Sequence, residues 1–433
     1  MAHSHPPRPA RNVPTALAPR RIVLAVLALV ILSTGVGLVL LWPSRDAVDD
    51  ASLADQFAVE GMTYPTVRID AINEGECEDQ SAVSDDPAFS GQSVVQHCDI
   101  AEVTILDGAR AGERTTVQLG GSLTASGLRP GDTLRLMSLS DSAADDQEGG
   151  LGSAVTENER SSDGVLGVVR NVPLAILAIV FIGVVIAVGM LRGFLALIAL
   201  GFSAMMVIYF VLPALIAGGS GTAIALVGAS AIMVVVLYLA HGVSMRTSAA
   251  LLGTLIGIGL MAGIAQVAVS TTRLSGLGDE TSNVLASMTS EIDFRGLLTC
   301  GIIIAGLGVL NDVTITQASS VWELRAAAPG LTRREISVRA MRIGRDHIAS
   351  AIYTIVFAYA GAAMSVLILL YLYDQPMLNV LTQEDLSIEA VRTITSGIGL
   401  VLAVPVTTWI AAWLLPPAVS PTNEASGARP RLR

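Results

Sequence analysis

The sequence predicts an α-helical membrane protein: a bundle of about eight transmembrane helices, with a small extracytoplasmic β-rich domain between the first and second. Composition carries the class. Of 433 residues, 52% are hydrophobic and 15% charged, where a soluble domain carries about 25% charged residues, so an ordinary soluble enzyme is excluded. Apolar runs of spanning length, about 20 residues, recur along the chain, and the charge is split: residues 43–170 carry −16 and the remainder +5. All 26 basic residues are arginine, which reads as a GC-rich codon effect rather than chemistry. An acidic outer piece on a basic-edged membrane piece argues against nucleic acid as a partner.

The elements follow in order. Residues 1–21, rich in Pro and Arg, read as a disordered cytoplasmic tail, and 22–42 as the first transmembrane helix. That run is longer than the roughly 7–15 residues of a signal-peptide core and has no small-x-small site after it, so an anchor is expected. Residues 43–170 form the extracytoplasmic part. Alternation at Val67, Ile69 and Ala71, at Val103 and Ile105, at Val117 and Leu119, and at Leu134 and Leu136 predicts strands; Gly108 to Gly112 and Pro130-Gly131 supply turns. A barrel or sandwich fits, OB-like being one option. Its flanks, 43–55 and 140–164, read as linkers.

Cys77 and Cys98 lie in this part, on the side assigned as oxidising, so a disulfide between them is expected, with Cys300 left inside a helix. The rival is a metal held with His97, Glu74, Glu76, Glu78 and Asp79. Two cysteines and one adjacent histidine lack a familiar zinc spacing, and no metal or cofactor is assigned.

Residues 171–416 read as a seven-helix bundle, with apolar runs at 172–191, 193–217, 222–240, 248–269, 296–316, 348–373 and 393–416, a cytoplasmic Arg-rich loop at 312–347, and a cytoplasmic tail at 417–433. Arginine placement sets the orientation, because basic residues in short loops resist translocation. With the N-terminus inside, the inner segments hold 15 arginines and the short outer loops 3. Eight crossings then return both termini to the cytoplasm of a bacterial plasma membrane.

Within the membrane the sixth run is the most informative. Gly301, Ala305, Gly308, Asp312, Thr316, Ser319 and Glu323 follow at steps of three or four and share one helix face. Asp312 lies 18 residues from Phe294, about 27 Å deep at 1.5 Å per residue, near the inner edge of the hydrocarbon. The seventh run repeats the pattern with His347, Ser350, Thr354, Ala358, Gly361 and Ser365, and Arg345, Asp346 and His347 cluster at its entry. By topology these share the depth of Asn311 and Asp312. An Arg345–Asp312 or His347–Asp312 pair would stabilise a partly buried carboxylate, as a structural ion pair or as a proton relay. The candidate polar network is therefore Asn311, Asp312, Thr316, Gln317, Glu323, Arg345, Asp346 and His347. His241 and Gln266 are further polar candidates, Gly253/Gly257 and Gly259/Gly263 read as packing spacings, and Pro213 and Pro405 as kinks.

Gly276-Leu277-Gly278-Asp279 matches the GxGD of intramembrane aspartyl proteases and Tyr373-Asp374 their YD, but both sit at outer helix edges and in reversed order, which favours chance. No HExxH, Walker A, GxSxG or Cys-rich metal pattern occurs, and no catalytic residue is assigned.

The stretch from Gly308 to Leu324, GVLNDVTITQASSVWEL, followed by Ile343-Gly-Arg-Asp-His-Ile348, resembles the YibE/F-like family of bacterial multi-pass membrane proteins. Leu191-Arg-Gly193, Leu251 to Leu255 and Ile292 to Gly296 extend the resemblance over about 165–375. The resemblance implies a multi-helix architecture and a permease role, with no family site residues to carry over. The expected function is a permease or transporter whose partners are the lipid bilayer and a small solute or ion, with a homo-oligomer allowed. The rivals are a membrane sensor or assembly factor whose outer domain binds a partner, and an intramembrane hydrolase.

Overall fold

The computed structural model describes residues 15–44, 62–77, 96–120, 123–139, 163–289, 292–372, 379 and 382–418. It divides into a sheet unit, Leu53–Gly183, and a helical unit, Met1–Ser52 with Val184–Arg433. The described residues are mostly helical.

The sheet unit contains β1 (Met62–Thr63), β2 (Thr66–Cys77), β3 (Gln96–Ile105), β4 (Arg114–Leu119), β5 (Thr133–Leu139) and β6 (Gly164–Val168). They form a curled antiparallel sheet of order β1-β5-β2-β3-β4, with β6 on β5. Strand alternation builds its core: Val67, Ile69, Val103, Ile105, Val117, Leu119, Leu134 and Leu136 are all buried, with Ala101. The prediction slips at one residue. A bulge between Ile69 and Ala71 shifts the register, so Ile72 rather than Ala71 packs on this core.

At the β3–β4 turn, Arg110 Nε meets Glu113 Oε2 at 2.9 Å and its Nη1 meets the buried Asp163 at 3.2 Å. Asp163 also accepts from Ser138 Oγ, which ties the approach to β6 to both β5 and this turn. The Arg110 guanidinium holds the Glu113 carboxyl below the usual carboxylate range, chiefly through their hydrogen bond.

The expected disulfide is corrected by the register. Cys77 stands opposite Gln96 and Cys98 opposite Gly75, two positions apart along the β2–β3 ladder. Diagonal neighbours of that kind are about 7–8 Å apart, beyond the usual disulfide spacing. The side chains of the proposed metal set, His97 with Glu74 and Glu76, and residues Glu78 and Asp79 lie outside the described residues, as do most of the two flanking linkers, the tails 1–14 and 419–433, and Tyr373-Asp374.

The helices are α1 (Leu17–Leu41), α2 (Asn171–Met206), α3 (Leu212–Ile216), α4 (Gly221–His241), α5 (Met245–Thr271), α6 (Glu280–Met288), α7 (Phe294–Ala327), α8 (Arg333–Ala362), α9 (Met364–Leu372) and α10 (Glu384–Leu414). Among the described residues six stretches are long and apolar enough to cross a membrane: Leu17–Leu41, Asn171–Ile216, Gly221–His241, Met245–Thr271, Phe294–Ala327 and Glu384–Leu414. Two physical facts separate six from the expected eight. The runs 172–191 and 193–217 merge into one 46-residue stretch interrupted only at Met190, with φ 51° and ψ −135°. The chain reverses there, because the Cβ position of Gly193 abuts the carbonyl of Val185. The other fact is that the run 348–373 is split: α8 ends at Ala362 and the remainder falls on α9, only 9 residues long, so neither helix holds an apolar stretch of spanning length.

The Arg-rich stretch 312–347 is not a loop. It is helix to Ala327 and again from Arg333, leaving only 328–332 between. A capping box starts α8: Thr332 Oγ1 accepts from the Glu335 amide, and the Glu335 carboxylate accepts from the Thr332 amide at 2.8 Å. A π-helical turn, Val207–Val211, precedes α3, where Pro213 offers no amide and crowds the carbonyl four residues back. Pro405 sits within α10, which continues through it.

At the centre α5, α7 and α10 pack closely. The Cβ position of Gly253 abuts Thr407, that of Gly257 lies 3.1 Å from Ala403 Cβ, and that of Gly306 lies 2.5 Å from Met261 Sδ. Gly253/Gly257 is thus a packing pair, whereas Gly259 and Gly263 face open space.

One end of the helical unit collects several chain ends. The amide of Ala16 donates to the carbonyl of Leu414 at 2.9 Å, joining the start of α1 to the end of α10. Arg325, only 4% exposed, donates to the carbonyls of Pro329 at 2.9 Å, Leu331 at 2.7 Å and Pro416 at 3.1 Å, and Arg333 to that of Leu415 at 2.8 Å. Two guanidinium groups therefore meet the carbonyl end of α10, where the helix dipole favours positive charge.

Candidate functional site

Helix α7 has two unlike faces. Ile302, Ile303, Gly306, Leu310, Val313, Thr314, Gln317, Ala318, Val321 and Trp322 are buried against neighbouring helices, α4, α5, α8 and α10. The stripe singled out in the sequence lies on the other side: Gly301, Ala305, Gly308, Asp312 and Glu323 are exposed, and Thr316 and Ser319 half-buried. On α8, Ser350, Thr354, Ala358 and Gly361 are likewise exposed.

Each predicted polar residue can be placed. Asn311 is half-buried, and its Oδ1 is buried with no hydrogen-bond partner among the described residues. Gln317 is 1% exposed, and its Nε2 donates to the carbonyl of Ala340 at 3.0 Å and to Thr408 Oγ1 at 2.6 Å. That joins α7, α8 and α10 in one satisfied node, so Gln317 is a packing residue. Thr316 and Glu323 line an open groove of about 390 Å³ with Ser319, Ser320 and Ile343. Arg345 and Asp346 are exposed and His347 half-buried.

Among the described residues, no ion pair joins Asp312 to Arg345 or His347. Shared depth is not shared direction. The electrostatic neighbour of Asp312 is instead His241 at the end of α4, which also lies in range of Arg192 and Arg246. Gln266 accepts from Thr222 Oγ1 at 2.8 Å and lines a second cleft with Asp293 and Arg295.

Sequence reasoning missed a polar cluster on α10. Arg392 Nη1 meets Glu389 Oε1 at 2.7 Å and its guanidinium lies 5.9 Å from the Tyr359 ring centre on α8. Glu389 Oε2, Arg392 Nε and Ser396 Oγ are buried without a hydrogen-bond partner among the described residues. The apolar run starts at 393 and leaves Arg392 outside it, but α10 starts nine residues earlier, at Glu384. The signal available was the spacing of Glu389, Arg392 and Ser396 at steps of three and four, which continues the helical face outward.

The GxGD segment has an architectural role. Gly276, at φ +83°, sits against the Phe294 carbonyl, and Asp279 caps α6 by accepting from the Ser282 amide at 2.7 Å. Glu384 fixes the same loop, accepting from the amide and hydroxyl of Ser275 at 2.7 and 2.5 Å.

The model of the family described as YibE/F-like protein matches residues 177–417. The chain belongs to the YibE/F-like family. The family region takes in α3 to α10 and most of α2, and so includes the α7 stripe, the Gln317 node and the α10 cluster, and it runs past the end of the resemblance read from the sequence. No curated protein and no solved structure matches the chain.

Proposed function

We propose that this YibE/F-like chain is a permease of the bacterial plasma membrane that passes a small polar or charged solute along the α7 face. In this reading the helices make eight crossings, both termini are cytoplasmic and the sheet unit is outside. One observation carries it: Asp312, about 27 Å along α7 from Phe294, is an exposed carboxylate with no ion pair to Arg345 or His347. A carboxylate on a spanning helix at the inner edge of the hydrocarbon is well placed to serve the inner end of a solute or ion path. The neighbouring Asn311 Oδ1, buried without a partner among the described residues, offers a second acceptor. The Ala16–Leu414 bond, which holds the first and last helix ends together, supports an even number of crossings.

Uptake into proteoliposomes across a panel of inorganic ions and small organic solutes tests this. The unsubstituted chain should move at least one, and Asp312→Asn, which keeps the volume and removes the charge, should stop that flux while the protein still inserts. Undiminished flux through Asp312→Asn refutes the reading. A sensor or assembly factor is the second reading, favoured by the separate core of the sheet unit. A deletion strain rescued as well by Asp312→Asn as by the parent chain would select it.

A further inference from the structure

We infer that the polar cluster on α10 is a binding site for a small zwitterion, a molecule carrying one carboxylate and one ammonium group, which enters between Glu389 and Arg392. In taking that molecule for the transported solute, the inference rests on the permease reading.

The cluster holds unmet groups that packing does not explain. Glu389 Oε2, Arg392 Nε and Ser396 Oγ stand at steps of three and four on one face of α10, and each is a buried atom with no hydrogen-bond partner among the described residues. Ser396 is only 3% exposed, and its Oγ lies 3.5 Å from the Cβ position of Gly306 on α7, so the cluster is closed at that end. Tyr359 on α8 forms a wall: its ring centre is 5.9 Å from the Arg392 guanidinium, and its hydroxyl comes near Ser396 Oγ without closing a hydrogen bond. The side chains of Glu389 and Arg392 are each 27% exposed. The way in is therefore at the charged end.

Chemistry selects the ligand. Arg392 spends Nη1 on Glu389 Oε1 at 2.7 Å, which leaves its Nε as a donor that fits a carboxylate, with Ser396 Oγ able to donate to the same group. Glu389 Oε2 only accepts, and suits an ammonium. As a pair the two side chains are neutral, so a ligand of net charge would leave one charge uncompensated in a partly buried place, and an uncharged one would part the pair without replacing it. A zwitterion does neither. Its insertion opens one ion pair and makes two.

The position suits a path that leads to Asp312. Ser396 is twelve residues into α10 from Glu384, and Gly306 twelve into α7 from Phe294, about 18 Å along each helix. Asp312 lies six residues, or about 9 Å, further along α7. Its carboxylate stays free to take the ammonium end next.

Binding of glycine, β-alanine and γ-aminobutyrate to the purified full chain, read by calorimetry in detergent, tests this, with acetate and methylammonium as the separate halves. At least one of the three zwitterions should bind saturably, and about tenfold or more tighter than either half, the scale of one hydrogen bond to a charged group. Glu389→Gln combined with Arg392→Gln removes both charges and strands neither, so it should abolish that binding and leave the Tm close to that of the parent chain. Ser396→Ala should weaken binding about fivefold without lowering the Tm, because the hydroxyl has no bond to lose; a merely structural serine gives the opposite pattern. No saturable zwitterion binding, a half bound as tightly as the whole, or binding unchanged in the double variant overturns the inference. Zwitterion binding that the double variant abolishes, in a chain that moves no solute, keeps the site and removes the permease reading; flux of an inorganic ion through a chain that binds no zwitterion does the reverse.

Discussion

Replacing Arg325 by Met should destabilise the helical unit more than any other single arginine change, and the size follows from its partners. The guanidinium is 4% exposed and donates to three carbonyls, those of Pro329, Leu331 and Pro416. Hydrogen bonds to charged groups are each worth about 1.5–3 kcal/mol net, but Met also removes a buried charge whose Nε has no partner among the described residues, which returns part of the desolvation cost. A net loss of about 2–3 kcal/mol is expected, lowering an apparent Tm in detergent by roughly 4–12 °C. Arg333→Met loses one bond, to Leu415, from a half-buried site, and should cost about 1 kcal/mol or less. Arg325→Lys should recover only part of the loss, because a point charge cannot reach three divergent acceptors as the planar fork does. Thermal-shift curves for the three variants decide the matter. An Arg325→Met protein that melts with the parent chain, or above Arg333→Met, would refute the clamp.

Gly253→Val should lower thermal stability by about 1–3 kcal/mol by overpacking against Thr407, whereas Gly259→Ala, facing open space, should be tolerated; paired melting curves distinguish them. Glu113→Gln should weaken the sheet unit at neutral pH and not at low pH. The folded carboxyl lies below its unfolded value, so its contribution is complete above the unfolded value, near 4.3, and lost as pH falls through the lowered one. Calorimetry of the full chain at several pH values reads this, and a difference that grows on acidification would contradict it. A thiol placed at Ser337 should react with an impermeant reagent only after the membrane is opened, and labelling in intact cells would reverse the orientation.

The strands were legible because alternation reports a half-buried surface directly: every residue of the Val103/Ile105, Val117/Leu119 and Leu134/Leu136 pairs is buried. The bulge at Ile69/Ala71 was not, since one extra residue leaves the pattern unchanged on paper and reverses it in space. The two cysteines show the same limit, because their separation along the chain says nothing about which residue of β3 faces which of β2. Helix starts were missed where hydropathy alone was weighed. The beginnings of α8 and α10 are charged, yet Thr332 and Glu335 carry the capping-box spacing that marks the first of them. The break at Met190 was legible to within two residues, through the lone Arg192 between two apolar runs.

Periodicity found the α7 stripe but gave it no direction. Small and polar residues at steps of three or four describe a close-packed face and an unoccupied one equally well, and α7 carries both. The packed face joins its neighbours through neutral groups: Gln317 with Thr408 and the Ala340 carbonyl, and Thr314 with Thr254 at 2.6 Å. Its two carboxylates within the span, Asp312 and Glu323, are on the open face, and the one charge the helix buries, Arg325, is spent on backbone carbonyls at its inner end. This division follows from cost. A neutral hydrogen-bonded pair can be buried at little penalty, whereas a buried carboxylate needs a positioned countercharge, and the packed face of α7 offers none to Asp312. The charge is kept where a solute can reach it, and that placement is why Asp312 carries the transport reading.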